Sequence, residues 1–139
     1  MRIGFNPANV WQPGGRGFSM GLASDNGVLV HLTGQVAWDE NEQIVGLGDV
    51  SLQTRQCFKN IEIMLQAVGG TLADLVSVTT YFMDRTHLPI IQKVRHEFLD
   101  FPNPPASTSV MVAGLGHEDF LIELTPTAIV PTDRCTKPN

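Results

Sequence analysis

Pro105-Ala106-Ser107-Thr108-Ser109-Val110-Met111-Val112-Ala113-Gly114-Leu115 and, after a short loop, Leu121-Ile122-Glu123-Leu124 decide the fold of this chain. Pro102, Pro104 and Pro105 end any helix before the first run and force an extended lead into it. The two runs read as strand, turn and strand over 106–115 and 120–130, and the second carries one carboxylate, Glu123, among Leu121, Ile122 and Leu124. Pro126 cannot donate to a ladder, so the last strand is expected to end at a bulge or an edge there. Residues 131–139 read as a frayed tail.

Upstream of this pair, Ile91, Val94 and Phe98 recur at helical spacing and predict a helix over Leu88–Leu99, with Thr86 as its cap and Pro89 in its first turn. Before it, Val76, Val78, Thr80 and Phe82 alternate with Ser77, Thr79, Tyr81 and Met83 as a two-faced strand. Thr71 with Asp74 forms a capping-box pattern for a single turn. A longer helix is read from Cys57, Phe58, Ile61, Met64, Leu65 and Val68, with Asp49 or Ser51 capping its start and Gly69-Gly70 ending it. Gln35–Trp38 and Gln43–Val45 flank an acidic turn, most simply a solvated hairpin end. Val28–Thr33 is apolar enough to predict a central strand, and Asp25-Asn26-Gly27 a tight turn pairing it with a strand through Phe18, Met20 and Leu22. Gly34 marks a bulge or a close ligand approach. Residues 1–16 read as irregular.

This order implies an α+β fold, a mixed β-sheet with both helices packed on one face. The chain reads as a single domain over 1–139, with a core of about 15–130, large enough to bury about two-thirds of its unfolded surface. Its strands carry apolar or small residues on both sides, so the sheet's second face needs a cover, which a symmetric oligomer supplies. The charged content of 17% points the same way. A formal net charge of -5 leaves no basic stripe to neutralise phosphates, which argues against nucleic acid as a partner. No apolar run approaches a membrane span and the first residues lack a signal-peptide core, so a cytoplasmic location is expected. Cys57 and Cys135 make neither a disulfide framework nor a metal spacing, and Cys57 reads as core filler. His31, His87 and His96 form no metal spacing either. Trp11 and Trp38 read as packing or interface residues.

Several blocks, in order, resemble the Rid (YjgF-type) family of imine and enamine deaminases: Gly17-Phe18-Ser19, Leu32-Thr33-Gly34-Gln35-Val36, Gln53-Thr54-Arg55-Gln56 through Asn60-Ile61, Gly69 to Leu75, and the closing strand pair. The resemblance runs from about residue 15 to 130. It implies a chorismate-mutase-like (Rid-type) fold, a homotrimer with small-molecule clefts between subunits, and a hydrolase that needs no metal or organic cofactor. Its substrate would be a small reactive imine, deaminated with release of ammonia.

Carried over residue by residue, the resemblance makes Glu123 the group that positions or activates water. Thr33, Gly34, Thr108 and Ser109 become pocket-lining residues, and Gln92 falls where an asparagine often reaches the ligand. Two polar anchors differ. Ser107 stands where the deaminases hold a substrate carboxylate with arginine, and Phe18 stands where a tyrosine is usual. Losing one partner of a buried charge pair costs about 2–5 kcal/mol. The substrate therefore lacks a carboxylate there, another cation replaces the arginine, or the cleft binds without catalysing. Arg16, Arg85 and Arg95 are the candidate replacements; Arg95 follows Gln92 by one turn, and its plainer reading is a solvated helix arginine. His117 reads as solvent-facing. Glu123 itself reads either as a carboxylate in apolar surroundings, suited to proton transfer, or as an outward, solvated one. The alternative to an enzyme is a non-catalytic small-molecule-binding or regulatory trimer on the same scaffold.

Overall fold

The computed structural model describes residues 1–138. Its strands are β1 (Arg2–Phe5), β2 (Gly21–Ser24), β3 (Gly27–His31), β4 (Leu75–Phe82), β5 (Ala106–Met111) and β6 (Ile122–Pro131); the helices are α1 (Val50–Gln66) and α2 (Leu88–Leu99). Four strands form one sheet in the order β3-β6-β4-β5, while β1 and β2 pair separately. Only β4 and β5 run parallel, joined through α2, the kind of crossover that parallel strands require. The result is the expected mixed sheet and α+β class.

Both helices follow from their apolar stripes. Cys57, Phe58, Ile61 and Leu65 of α1 and Ile91, Val94 and Leu99 of α2 are buried against Val78, Phe82, Ile122, Leu124 and Ala128 of the sheet. Phe58 stacks on Phe98 at 4.9 Å between ring centroids, which locks the two helices together on that face. Asp49 caps α1 by accepting from the Leu52 amide at 3.0 Å. Thr71 and Asp74 form the capping box around a single 3-10 turn. Thr86, however, does not cap α2: it belongs to a preceding 3-10 turn capped by Asp84, and Pro89 occupies the helix's first turn.

Other expectations change as well. Residues 1–16 are not wholly irregular, because Arg2–Phe5 pairs antiparallel with Gly21–Ser24. Asn26 does take a positive φ of 56°, yet its turn sends the chain from one sheet to the other instead of closing a hairpin. β3 is an edge strand, not a central one, and Leu29 keeps 55% of its surface exposed. An apolar run looks the same to sequence reasoning whether its own helices cover it or leave it bare.

Pro126 lies inside the central strand β6, opposite Val78. The ladder accommodates it locally. Leu124 exchanges hydrogen bonds with Gln35 at 2.7 and 2.9 Å, and β3 pairs up to His31–Thr127. Pro126, two residues beyond Leu124, turns its missing donor to the same side, where residues 32–34 have left the ladder. Nor is the tail frayed throughout. Arg134 donates to buried Asp74 at 2.6 Å and to the Gly69 carbonyl at 3.0 Å, while the Thr136 amide donates to Val68. Asn139 lies outside the described residues. The acidic turn closes as a hairpin end: Trp38 pairs with Ile44, the Asp39 amide donates to the Gln43 carbonyl at 3.0 Å and the Val45 amide to the Ala37 carbonyl at 2.8 Å.

Candidate functional site

β5 is the sheet's edge, and its register against β4 sets Ser107 beside Val78, Thr108 beside Thr79 and Ser109 beside Thr80. Facing pairs share a side of the sheet. Ser107 and Ser109 therefore stand on the side of buried Val78 and Thr80, toward the helices, and Thr108 on the other. Segment 18–20 runs alongside the start of β5: the Ser19 amide donates to Pro105 at 3.0 Å and its hydroxyl to Pro104 at 2.7 Å. Between this segment and the strands opens a cleft of about 210 Å³ lined by Phe18, Ser19, Met20, Ser77, Ser107 and Thr108, among others.

Behind this cleft lies Arg95, which is not solvated. It is 2% exposed. Its Nη1 donates to Ser107 Oγ at 3.0 Å and its Nε to the Arg16 carbonyl at 3.3 Å, and its guanidinium carbon lies 5.3 Å from the centre of the Phe18 ring. Burial lowers its pKa to about 10, which leaves it charged near neutrality. The sequence held a signal for this. Arg95 follows Ile91 by four residues and precedes Leu99 by four, so it falls on the buried stripe of α2.

Two aromatic contacts extend this corner. Trp11 stacks on Phe18 with ring centroids 6.1 Å apart, and Arg16 lies over Trp11 at 5.1 Å. Of the other candidate cations, Arg16 also donates to Pro13 at 2.9 Å and Arg85 is exposed before α2. Gln92 is half-buried on α2, one turn before Arg95. His117 is exposed; its Nδ1 accepts from the Asp119 amide at 3.0 Å.

Glu123 belongs to a second group. It is half-buried on β6 opposite Tyr81, and its carboxylate rests against the bare backbone of Gly34. The Gln35–Leu124 hydrogen bonds hold residues 33–35 there. Thr33 and Gly34 line a separate groove of about 600 Å³ with Trp38, Asn60 and Met64. Glu123 aligns through Tyr81 with Val110, so Ser107 stands two strands away and three residues along. At ~4.8 Å between strands and ~3.3 Å per residue, their backbones are roughly 14 Å apart. One chain thus holds two separate groups of these residues: Phe18, Ser107 and Thr108 at the smaller cleft, with Arg95 behind Ser107 and Ser109 exposed further along β5, and Thr33, Gly34 and Glu123 together elsewhere.

Residues 16–130 match the family model described as Endoribonuclease L-PSP. The 3-aminoacrylate deaminase RutC of Acinetobacter baylyi is 31% identical over 102 residues, covering 73% of this chain and 79% of that protein. The Yersinia pestis protein YyfB, of unknown function within the conserved Rid family, superposes with a TM-score of 0.87 at 31% identity, over 93% of this chain and 98% of that one. RidA of an Antarctic Psychrobacter superposes with a TM-score of 0.67 at 25% identity, over 81% and 88%.

Proposed function

The chain belongs to the Rid (YjgF-type) family, also described as Endoribonuclease L-PSP, and on that premise we propose that it is a deaminase of a small imine or enamine, working in a cleft between subunits of a homotrimer. The observation that carries the reading is Glu123. Its half-buried carboxylate rests against a residue without a side chain, at a sheet position that an aqueous substrate can reach. A carboxylate so placed takes a proton from water as the oxygen adds to the C=N carbon. That proton passes to nitrogen to give a carbinolamine; the hydroxyl proton then moves to the amino nitrogen as the C–N bond breaks, and a carbonyl compound and ammonia leave. Family kinship with a 3-aminoacrylate deaminase supports this chemistry.

The separation of the two groups supports a shared cleft. Roughly 14 Å is too far for one small substrate to touch both Ser107 and Glu123 of one chain. A neighbouring subunit that closes over the sheet would let one subunit's Glu123 group share a cleft with the next subunit's Ser107 group. Leu29 and Val110, paired with Ile129 and Tyr81 on the face away from the helices, are exposed apolar residues available to such a neighbour. Endoribonuclease activity is the weaker reading, since a net charge of -5 offers little to bind RNA.

The test is ammonia release from enzymatically generated imines by the wild type and Glu123→Gln. Turnover that falls by about 10²–10⁴ in the variant supports the deaminase. Saturable binding of the same compounds without ammonia release supports a binding or regulatory trimer instead.

A further inference from the structure

The groove of about 600 Å³ starts at the sheet's edge, at Thr33 and Gly34, and runs along α1. Gly34 joins it to Glu123, because the same backbone lines the groove and touches the carboxylate. A small molecule reacting at Glu123 therefore has the groove beside it, a space that the hydrolysis itself does not use.

The groove's walls are apolar and held in place. Trp38 packs edge-on against buried Phe120 with ring centroids 5.0 Å apart, which fixes the indole. Asn60 donates to the Val36 and Trp38 carbonyls at 3.2 and 2.9 Å and accepts from Gln56 at 2.9 Å. These bonds tie segment 36–38 to α1 and engage the wall's amide groups with one another. The apolar lining is the Trp38 ring with Met64 and Ile63, and Ile63 keeps 63% of its surface exposed. A lone exposed isoleucine is ordinary, but one beside a fixed indole in a groove offers surface that gains by being covered.

The charge at the rim has one sign. Among the described residues that line the groove, Asp39 and Glu40 are acidic and none is basic. Among the described residues, neither carboxylate belongs to an ion pair. Asp39 is fixed by accepting from the Asn41 and Gln43 amides at 2.8 and 2.9 Å. A ligand with an acidic end is repelled there.

We infer that this groove is the subsite for the substrate's side chain, an extended apolar chain lying on Trp38, Ile63 and Met64 with a non-acidic end at Asp39 and Glu40. Resting on the deaminase reading, this narrows the substrate class to imines and enamines with a long, non-acidic side chain. Trp38 and Ile63 determine specificity by contact, and neither handles a proton.

Binding is read without turnover, so the test stands apart from deamination. The chain has two tryptophans, and Trp11→Phe leaves Trp38 as the sole reporter. The oligomeric Trp11→Phe protein is titrated with propanamide, hexanamide, hexylamine and hexanoate while Trp38 emission is followed. Hexanamide should move the emission to shorter wavelength. Affinity should rise about twofold or more per added methylene, with about fourfold the limit of full burial. Hexylamine should bind about fivefold more tightly than hexanoate, a preference that shrinks as salt screens the rim. Ile63→Glu, an exposed change that leaves the core untouched, should weaken hexanamide about tenfold. In parallel, kcat/KM for enzymatically generated imines that differ only in side-chain length should rise with length.

An emission that ignores hexanamide, as when a second copy of the chain covers the groove, overturns the inference. Equal affinity for propanamide and hexanamide, a preference for hexanoate, or kcat/KM that is flat across chain length does so too. Length-dependent binding with no ammonia from any imine refutes the deaminase reading and keeps the groove as a ligand site.

Discussion

Gly34 and Glu123 are in direct contact, and the contact leaves no room for a side chain on the glycine. A Cβ at Gly34 would collide with a carboxylate oxygen and lie 3.1 Å from Cδ and 3.3 Å from Cγ of Glu123. Gly34 does not rely on a positive φ, so its role at this position is space.

Gly34→Ala is therefore expected to leave the fold intact while swinging the flexible end of Glu123 aside. If Glu123 aims water, a displacement of about 1 Å lowers turnover by about 10²-fold. The denaturant midpoint and the rate of ammonia release separate the two effects. A variant with lowered midpoint and unchanged specific activity would contradict the role given to this contact.

Ser107→Arg, which restores the residue typical of the deaminases, is expected to harm this protein. The new guanidinium would enter the space where Arg95 donates to Ser107 Oγ, with no carboxylate to separate the like charges. A loss of about 3 kcal/mol is expected, the scale of an uncompensated buried charge. Adding Arg95→Gln should recover most of it. Urea unfolding of the single and double variants measures both, and equal stability of Ser107→Arg and wild type would show that Arg95 can move away.

Cys57 gives a pH-dependent prediction. Burial first, and the negative charge of Glu123 second, push its thiol well above the ordinary value of 9.0. The folded state therefore keeps a proton that the unfolded state releases, so this group's contribution to stability is complete below about pH 9 and declines above it, by up to about 1.4 kcal/mol per pH unit. Cys57→Ala should be less stable at neutral pH, because it opens a cavity, but should lack this part of the alkaline decline. In the native protein at pH 8, iodoacetamide should modify Cys135 and spare Cys57. Rapid labelling of Cys57 would show that α1 opens readily.

Both helices were legible because their information is local. The stripe from Cys57 to Leu65, the cap at Asp49 and the Thr71–Asp74 box all lie within a few residues of the backbone they organise. Strand partners were harder. Arg2–Phe5 pairs with Gly21–Ser24, and the β3 residues pair with a strand about 100 positions later. Neither pairing leaves a mark at its own position, and Asn26-Gly27 would suit a hairpin equally well.

By itself, the sequence determined the class of fold, the order of its elements and the identity of the groups able to do chemistry. Tertiary structure decided how those groups combine. It set Glu123 against Gly34 and about two strands away from Ser107, and it moved Arg95 from an expected solvated face to a buried place behind Ser107. The physical reason is range. Propensity, capping and periodicity act through neighbours along the chain, whereas burial and charge act through neighbours in space, which only the packed sheet and helices bring together.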